Sequence, residues 1–328
     1  MFAEAISKAG KEPTRTEGTG IAYVANAACV VRAAQRELGG RPTLLEVVGW
    51  FTQAHRRYQP STIRQYKASL KTLGAVLRHQ GKLAEAELAA VLQRLETPPQ
   101  PMGNGPKRTS AKKRRSIRPA ELRALIMSLR NSDREDDAFL AQYIGMTVMV
   151  FPRPIEWANA QRDGQRLVLV NAKTTNGRAH GPTRTIELPG MSRQQLEGID
   201  AFLIALRTRA DAKGNWQSFH RWLARQLRAA CIRAGIAPLA PYSLRHLGMA
   251  SAKKLFDAQT VAYLAGHACD RTASSHYAPA RSGLKGVKAV IAARPENVGL
   301  VRVTGRASRR EHLARREHTP HSPRPFVG

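Results

Sequence analysis

The sequence predicts a mainly α chain with a small β-sheet, an α+β fold divided into two domains. Apolar residues recur at helical spacing through most of residues 21–96, 119–150 and 197–293. Short strand-like runs occur at Leu167-Val168-Leu169-Val170 and Thr185-Ile186-Glu187-Leu188, with the turn signal Asn176-Gly177 between them. Thr97-Pro98-Pro99-Gln100-Pro101, followed by Gly103, Gly105 and Pro106, cannot continue a helix and marks a boundary.

The elements follow in order. Residues 1–20 are polar and hold Gly10, Pro13, Gly18 and Gly20, the composition of a flexible N-terminal arm. Residues 21–96 form a helical domain. Within it Ile63, Tyr66, Leu70, Leu73 and Leu77 make one helix face, with Ser61 or Thr62 as the expected N-cap. Arg64, Lys67, Lys71 and Arg78 line a second stripe of that helix, which carries no acid. Such a stripe suits a DNA groove as well as solvent, and DNA binding is favoured. The linker 97–118 supplies Lys107, Arg108, Lys112, Lys113, Arg114, Arg115 and Arg118 and no acid, so it can follow a phosphate backbone. Arg118-Pro119-Ala120-Glu121-Leu122 opens the second domain, 119–293, with proline early in a helix. Residues 294–328 form a basic tail. Its last part, 301–328, has seven arginines, two glutamates and three prolines and lacks a continuous apolar stripe, so disorder is expected.

The charge balance points to the partner. Lysine and arginine number 53 against 24 acids, a formal net charge of +29 on 328 residues. A polyanion is the economical explanation, and double-stranded DNA the commonest one. A membrane surface would call for an amphipathic basic helix with exposed aromatics or a lipidation site, and neither is found. No apolar run approaches the roughly 18 residues of a membrane span, and the N-terminus has no signal-peptide pattern. Cys29, Cys231 and Cys269 form no CxxC pair, which fits a reducing cytoplasm. The histidines His312, His318 and His321 have no ligand spacing, so no metal or other cofactor is expected.

One polar set stands out: Arg153, Lys173, Arg245, His267 and Tyr277. Arginines can clamp non-bridging phosphate oxygens, lysine or histidine can move protons, and tyrosine can attack phosphorus. Arg153 precedes Pro154 near a helix start, and Glu156, three residues on, can pair with it and orient it. Arg245 falls in an apolar helix expected from Ser243 to about Phe256, where a buried guanidinium needs a partner. Nearby cations would favour the Tyr277 phenolate.

The boxes Tyr242-Ser243-Leu244-Arg245-His246, Leu264-Ala265-Gly266-His267 and Ser274-Ser275-His276-Tyr277, ten residues after His267, resemble the signature of the tyrosine recombinase (phage integrase) family. Phe151-Pro152-Arg153-Pro154-Ile155-Glu156 resembles its first arginine box, and Lys173 its β-hairpin lysine. The resemblance covers roughly 119–293 and extends more weakly to 21–96 as a core-binding domain. It implies an integrase-like catalytic domain and a site-specific recombinase working through a 3′-phosphotyrosine. In that reading Tyr277 is the nucleophile, Arg153 and Arg245 the clamp, Lys173 the general acid, and His267 an assistant. His246 and Glu156 are supporting residues. Tyr242 stands where the family often has histidine, and it can donate one hydrogen bond to a phosphate oxygen. The resemblance also implies a homotetramer on two paired sites, with residues 282–293 the candidate for docking on a neighbouring subunit. The alternatives are a DNA-binding protein that kept the fold without catalysis, and a type IB topoisomerase-like enzyme.

Overall fold

The computed structural model describes residues 17–54, 58, 60–96, 114, 116–174 and 177–304. The chain divides into two compact units at residues 111 and 112, inside the expected linker. No helix among the described residues is long and apolar enough to cross a membrane.

The first unit holds α1 (Glu17–Leu38), α2 (Leu44–Ala54), α3 (Pro60–His79) and α4 (Glu85–Glu96). Helix α2 starts on a reciprocal cap. The Thr43 backbone N–H and hydroxyl donate to Glu46 Oε2 at 2.7 and 2.9 Å, and the Glu46 N–H returns a bond to Thr43 Oγ1 at 3.3 Å. The core gathers Ala27, Val30, Val47, Phe51, Leu70 and Val91. The start of α1 lies four residues before the expected boundary. Ser61 and Thr62 lie inside the first turn of α3 and do not precede it, because proline is favoured at the first helical position.

The second unit contains α5 (Pro119–Arg130), α6 (Glu135–Val150), a 3-10 helix (Pro154–Asn159), β1 (Gln161–Asp163), β2 (Arg166–Val170) and β3 (Thr183–Glu187). Next come α7 (Arg193–Ala212), α8 (Trp216–Arg233), α9 (Pro241–Ala252), α10 (Ala258–Leu264), α11 (Arg271–His276) and α12 (Pro295–Val298). The sheet is antiparallel in the order β1-β2-β3, with Leu167 opposite Ile186 and Leu169 opposite Arg184. Burial alternates, so Leu167, Leu169, Arg184 and Ile186 face the core. Strand β1 is three residues long, too short to leave a pattern in the sequence.

Helices α6 and α9 touch where Gly248 admits the backbone of its neighbour: a Cβ there would lie 2.4 Å from the Val148 carbonyl oxygen. At the end of α6, Phe151 adopts a left-handed conformation with φ 38° while its ring is buried. Such a φ is costly for an aromatic residue, and here it turns the chain from α6 into Arg153.

Within this chain, residues 282–293 pack on the second unit, where Ile291 is buried and Ala292 bridges Glu187 at the edge of β3. The expectation of a disordered tail from residue 294 is corrected. Residues 294–304 belong to the folded unit and not to a disordered tail. Val301 is buried, Arg302 bridges Cys269, and Gln259 Nε2 donates to the carbonyls of Val298 and Val301. The tail from residue 305 lies outside the described residues.

Candidate active site

The site is organised by one buried carboxylate. Glu156 accepts from Arg153 Nη1 at 2.6 Å and from Arg184 Nη2 at 2.7 Å, and Arg245 Nη1 lies 3.8 Å away. The backbone N–H groups of Arg153 and Ala172 complete its shell at 2.7 and 3.1 Å. Burial alone would raise the carboxyl pKa, but Arg184, Arg245 and Arg153 overcome that and hold it well below the usual carboxylate range. Local sequence explains the start of this arrangement. Pro154 opens the 3-10 helix, and Glu156 at its third position reaches back to the Arg153 N–H.

Helix α10 supplies the opposite wall. Its end is a Schellman turn in which the His267 N–H bonds the Ala262 carbonyl at 2.9 Å and the Gly266 N–H bonds that of Tyr263 at 2.8 Å. Gly266 has φ +68°, and a Cβ there would lie 2.4 Å from Asn171 Oδ1, so both conformation and space require glycine. Three successive carbonyls freed at this helix end meet three different arginines. Leu264 O accepts from Arg184 Nε at 2.9 Å, Ala265 O from Arg245 Nη2 at 2.8 Å, and Gly266 O from Arg153 Nη2 at 3.5 Å. A helix C-terminus is the negative pole of the helix, so cations belong there.

Arg245 is fully buried on α9. Besides Ala265 O, it donates to Phe151 O at 2.7 Å and, through Nε, to Tyr277 Oη at 3.1 Å, while Nη2 lies 3.2 Å from His267 Nε2. The strained turn at Phe151 thus presents a carbonyl to this guanidinium. Burial pushes the His267 pKa well down, and Arg245, Arg153 and Arg184 push it further, so the imidazole is neutral near pH 7. Its Nδ1 and the Nε of Arg153 are buried with no hydrogen-bond partner among the described residues.

Tyr277 follows α11 in an extended conformation and is half-buried. Its hydroxyl lies 2.7 Å from that of Tyr242. Its ring centroid lies 5.0 Å from His246, 5.4 Å from His267 and 5.2 Å from the Arg245 guanidinium carbon. Burial would raise its pKa, but Arg245 and the hydrogen bonds from Tyr242 and Arg245 bring it below the ordinary phenol value. Burial pushes Tyr242 up to about 12. Lys253, just past α9, holds the Tyr277 segment by donating to the carbonyls of Ala273 and Ala278, both at 2.8 Å.

Lys173 lies in the β2–β3 loop with its side chain accessible to solvent. Partial desolvation lowers its pKa, as do the charges of Arg153, Arg178 and Arg245. That moves the ammonium toward the range where a lysine can give up a proton.

The structure therefore brings together Arg153, Glu156, Lys173, Tyr242, Arg245, His246, His267 and Tyr277. Sequence reasoning missed Arg184, which lies fully buried on β3 and joins Glu156, Leu264 O and Asn171 Oδ1. Its signal was the inward register of Thr183-Arg184-Thr185-Ile186. It also missed His180, whose Nδ1 lies 3.2 Å from the His267 carbonyl and whose ring centroid lies 4.6 Å from that of Tyr263. His276, which carried no motif role, is exposed.

The DNA-binding candidates divide. On α3, Arg64 is exposed and forms no ion pair among the described residues. Lys67 and Lys71 lie close enough that burial and the Lys71 charge lower the Lys67 pKa. The stripe has no acid on its own helix, but α4 supplies two: Glu85 pairs with Arg78 at 2.7 Å and Glu96 with Lys71 at 3.8 Å. Exposed pairs of this kind are worth little and yield to a phosphate. In the linker, Arg114 is tied to Glu121 at 2.8 Å and to the Ala237 carbonyl at 3.0 Å, and Arg114 is the main cause that pulls the Glu121 pKa down to about 2. That guanidinium is a fold contact. Lys107, Arg108, Lys112, Lys113 and Arg115 lie outside the described residues. Among the described residues no cluster of three His, Cys, Asp or Glu could hold a metal.

Two solved structures were compared at the level of the fold. One is a lambda integrase tetramer bound to a Holliday junction, with TM-score 0.51 and 13% sequence identity over 88% of this chain and 78% of that one. The other is a lambda integrase dimer, residues 75–356 of that protein, bound to a COC′ core site, with the same score and identity over 88% of this chain and 98% of that one. The fold is that of the tyrosine recombinases. No family model and no curated relative matches the sequence.

Proposed function

We propose that the protein is a site-specific DNA recombinase that cleaves and rejoins DNA through a 3′-phosphotyrosine. The observation that carries this reading is Tyr277 Oη held 3.1 Å from Arg245 Nε beside a buried group of three guanidiniums that share one carboxylate. Positive charge in such excess, out of water, is costly unless an anion joins it. A phosphodiester is the anion that places phosphorus next to a phenol and offers acceptors to Arg153 Nε and His267 Nδ1.

The reaction follows from these groups. Tyr277 gives its proton to solvent and attacks phosphorus, so that an Oη–P bond to the 3′ side forms as the P–O5′ bond breaks. The 5′ oxygen departs with a proton from Lys173. All three Arg245 nitrogens are engaged by the protein in the resting site. As Tyr277 Oη becomes an ester oxygen, it gives up its claim on Arg245 Nε, which is then free for the developing phosphorane charge. Arg153 supports that charge from the other side. The phosphotyrosine keeps the bond energy, so a 5′-hydroxyl can reverse the step without ATP. Double-stranded DNA is the substrate. A homotetramer on two paired sites is the assembly we infer, supported by the likeness to the lambda integrase tetramer. The α3 stripe and the linker bases Lys107, Arg108, Lys112, Lys113 and Arg115 would add phosphate contacts that do not read sequence.

The experiment uses nicked duplexes that the protein selects from a randomised pool. Wild type should form an SDS-stable adduct with them, and its absence would defeat the proposal. Lys173→Ala should be slow on normal DNA and largely restored on a duplex with a 5′-bridging phosphorothiolate, whose leaving group needs little protonation. Equal defects on both would remove Lys173 as the general acid.

A further inference from the structure

We propose that Tyr242 is a positioning residue for the nucleophile: its hydroxyl donates to Tyr277 Oη and, with Arg245 Nε, fixes the oxygen that attacks phosphorus. The inference rests on the recombinase reading for its catalytic consequence but not for its geometry. The two phenol oxygens are 2.7 Å apart, and the rings are stacked, 20° from parallel with centroids 6.2 Å apart. Tyr242 is fixed from below by α9, whose proline at position 241 starts the helix, and its ring meets His246 edge-on at 5.7 Å.

The direction of the hydrogen bond follows from the neighbours. A guanidinium can only donate, so Arg245 already treats Tyr277 Oη as an acceptor. That contact makes Tyr277 the more acidic of the two phenols, and once its proton leaves, its oxygen can only accept. Tyr242 is then the donor, and the charge that grows on Tyr277 Oη during deprotonation strengthens its bond. Among the described residues, the charged and titratable groups that face Tyr277 bear on this. Arg245, His246 and Tyr242 come from α9, Lys253 from just beyond it, His267 from the α10 turn, Arg153 from the 3-10 helix and Lys173 from the β2–β3 loop. His246 faces it as a ring and His267 is neutral. Arg245 and Tyr242 are the groups that donate to its oxygen among the described residues.

A histidine in place of Tyr242 could act as a cation toward the phosphate. A phenol cannot, but it can hold another phenol's oxygen at short range without competing for its proton. The chain thus trades a phosphate contact for a prepared nucleophile.

The test is a pH titration of full-length protein carrying 13Cζ-labelled tyrosine, followed by NMR, with the Tyr277 signal assigned by its loss in Tyr277→Phe. In wild type Tyr277 should titrate before Tyr242. In Tyr242→Phe, which keeps the ring and its packing, the Tyr277 midpoint should rise by about one pH unit, a tenfold change in acidity for one hydrogen bond to a charged oxygen. An unchanged midpoint, or Tyr242 titrating first in wild type, would overturn the assignment. A second arm measures adduct formation on the selected duplexes. Tyr242→Phe should be about tenfold slow near pH 7 and approach wild type above its raised midpoint. A defect of equal size at every pH would overturn the proposal. Wild type that never forms an adduct would defeat the recombinase reading alone, since the NMR midpoints need no DNA.

Discussion

Arg245→Ala and Arg153→Ala should each slow adduct formation by about 10²-fold or more, a loss of roughly 2.7 kcal/mol of transition-state stabilisation. The reason is positional. Each guanidinium is anchored on carbonyls at the end of α10 and near Glu156, so its charge would be in place before the proposed phosphorane formed. DNA affinity should fall much less, because most phosphate contacts of a basic protein lie away from the reacting centre. Arg245→Lys separates charge from shape. It keeps a cation but cannot serve Phe151 O, Ala265 O and Tyr277 Oη together, so it should remain strongly impaired. Single-turnover cleavage beside a filter-binding measurement reads both quantities. Variants that cleave at the wild-type rate would make these arginines parts of the fold alone.

Glu156→Ala should be the most destabilising single change in the site, by about 3–5 kcal/mol. Its loss leaves Arg153, Arg184 and Arg245 buried without their shared anion. The same pairing gives stability a pH dependence. The Glu156 carboxyl has a depressed pKa in the folded chain, against 4.5 as its ordinary value. The contribution is therefore fully present above about pH 4.5. It fades as the pH falls below that value, where the unfolded chain takes up a proton that the folded one refuses. Urea unfolding at several pH values should show wild type losing stability between pH 5 and about pH 3, with Glu156→Ala flatter over that window. Matching slopes in the two proteins would mean that Glu156 is not the group responsible.

Much of this site was legible in the sequence because its chemistry sits in short local boxes. Arg153 and Glu156 are one turn apart, Arg245 and His246 are adjacent, and Gly266-His267 announces a helix end with a histidine beyond it. Arg184 was not legible in the same way. A lone arginine in a strand reads as a surface residue, and what buries it is a carboxylate 28 positions earlier. Tyr242 was read as a phosphate donor, since nothing in its spacing tells that Tyr277 Oη would stand 2.7 Å away. Helix α9 stops at Ala252, short of the expected end near Phe256, and the backbone continues in tight turns in which Lys254 N–H bonds Ser251 O at 3.0 Å and Leu255 N–H bonds Ala252 O at 3.0 Å. In the fold, the helices and the hairpin followed from periodicity and turn residues. Residues 294–304 did not, because their order comes from contacts with Gln259 and Cys269 and not from any pattern of their own.

The central claim is that Tyr277 becomes covalently joined to DNA, and peptide mapping of the trapped adduct tests it most directly. Cleavage after arginine releases residues 272–281, which contain Tyr277 and no other tyrosine. After nuclease trimming, the account expects the nucleotide mass on this peptide, with fragmentation placing it on Tyr277 and not on Ser274 or Ser275. Tyr277→Phe should abolish the adduct while DNA binding persists. A nucleotide found on the peptide that holds Tyr242, or an adduct undiminished in Tyr277→Phe, would contradict the account.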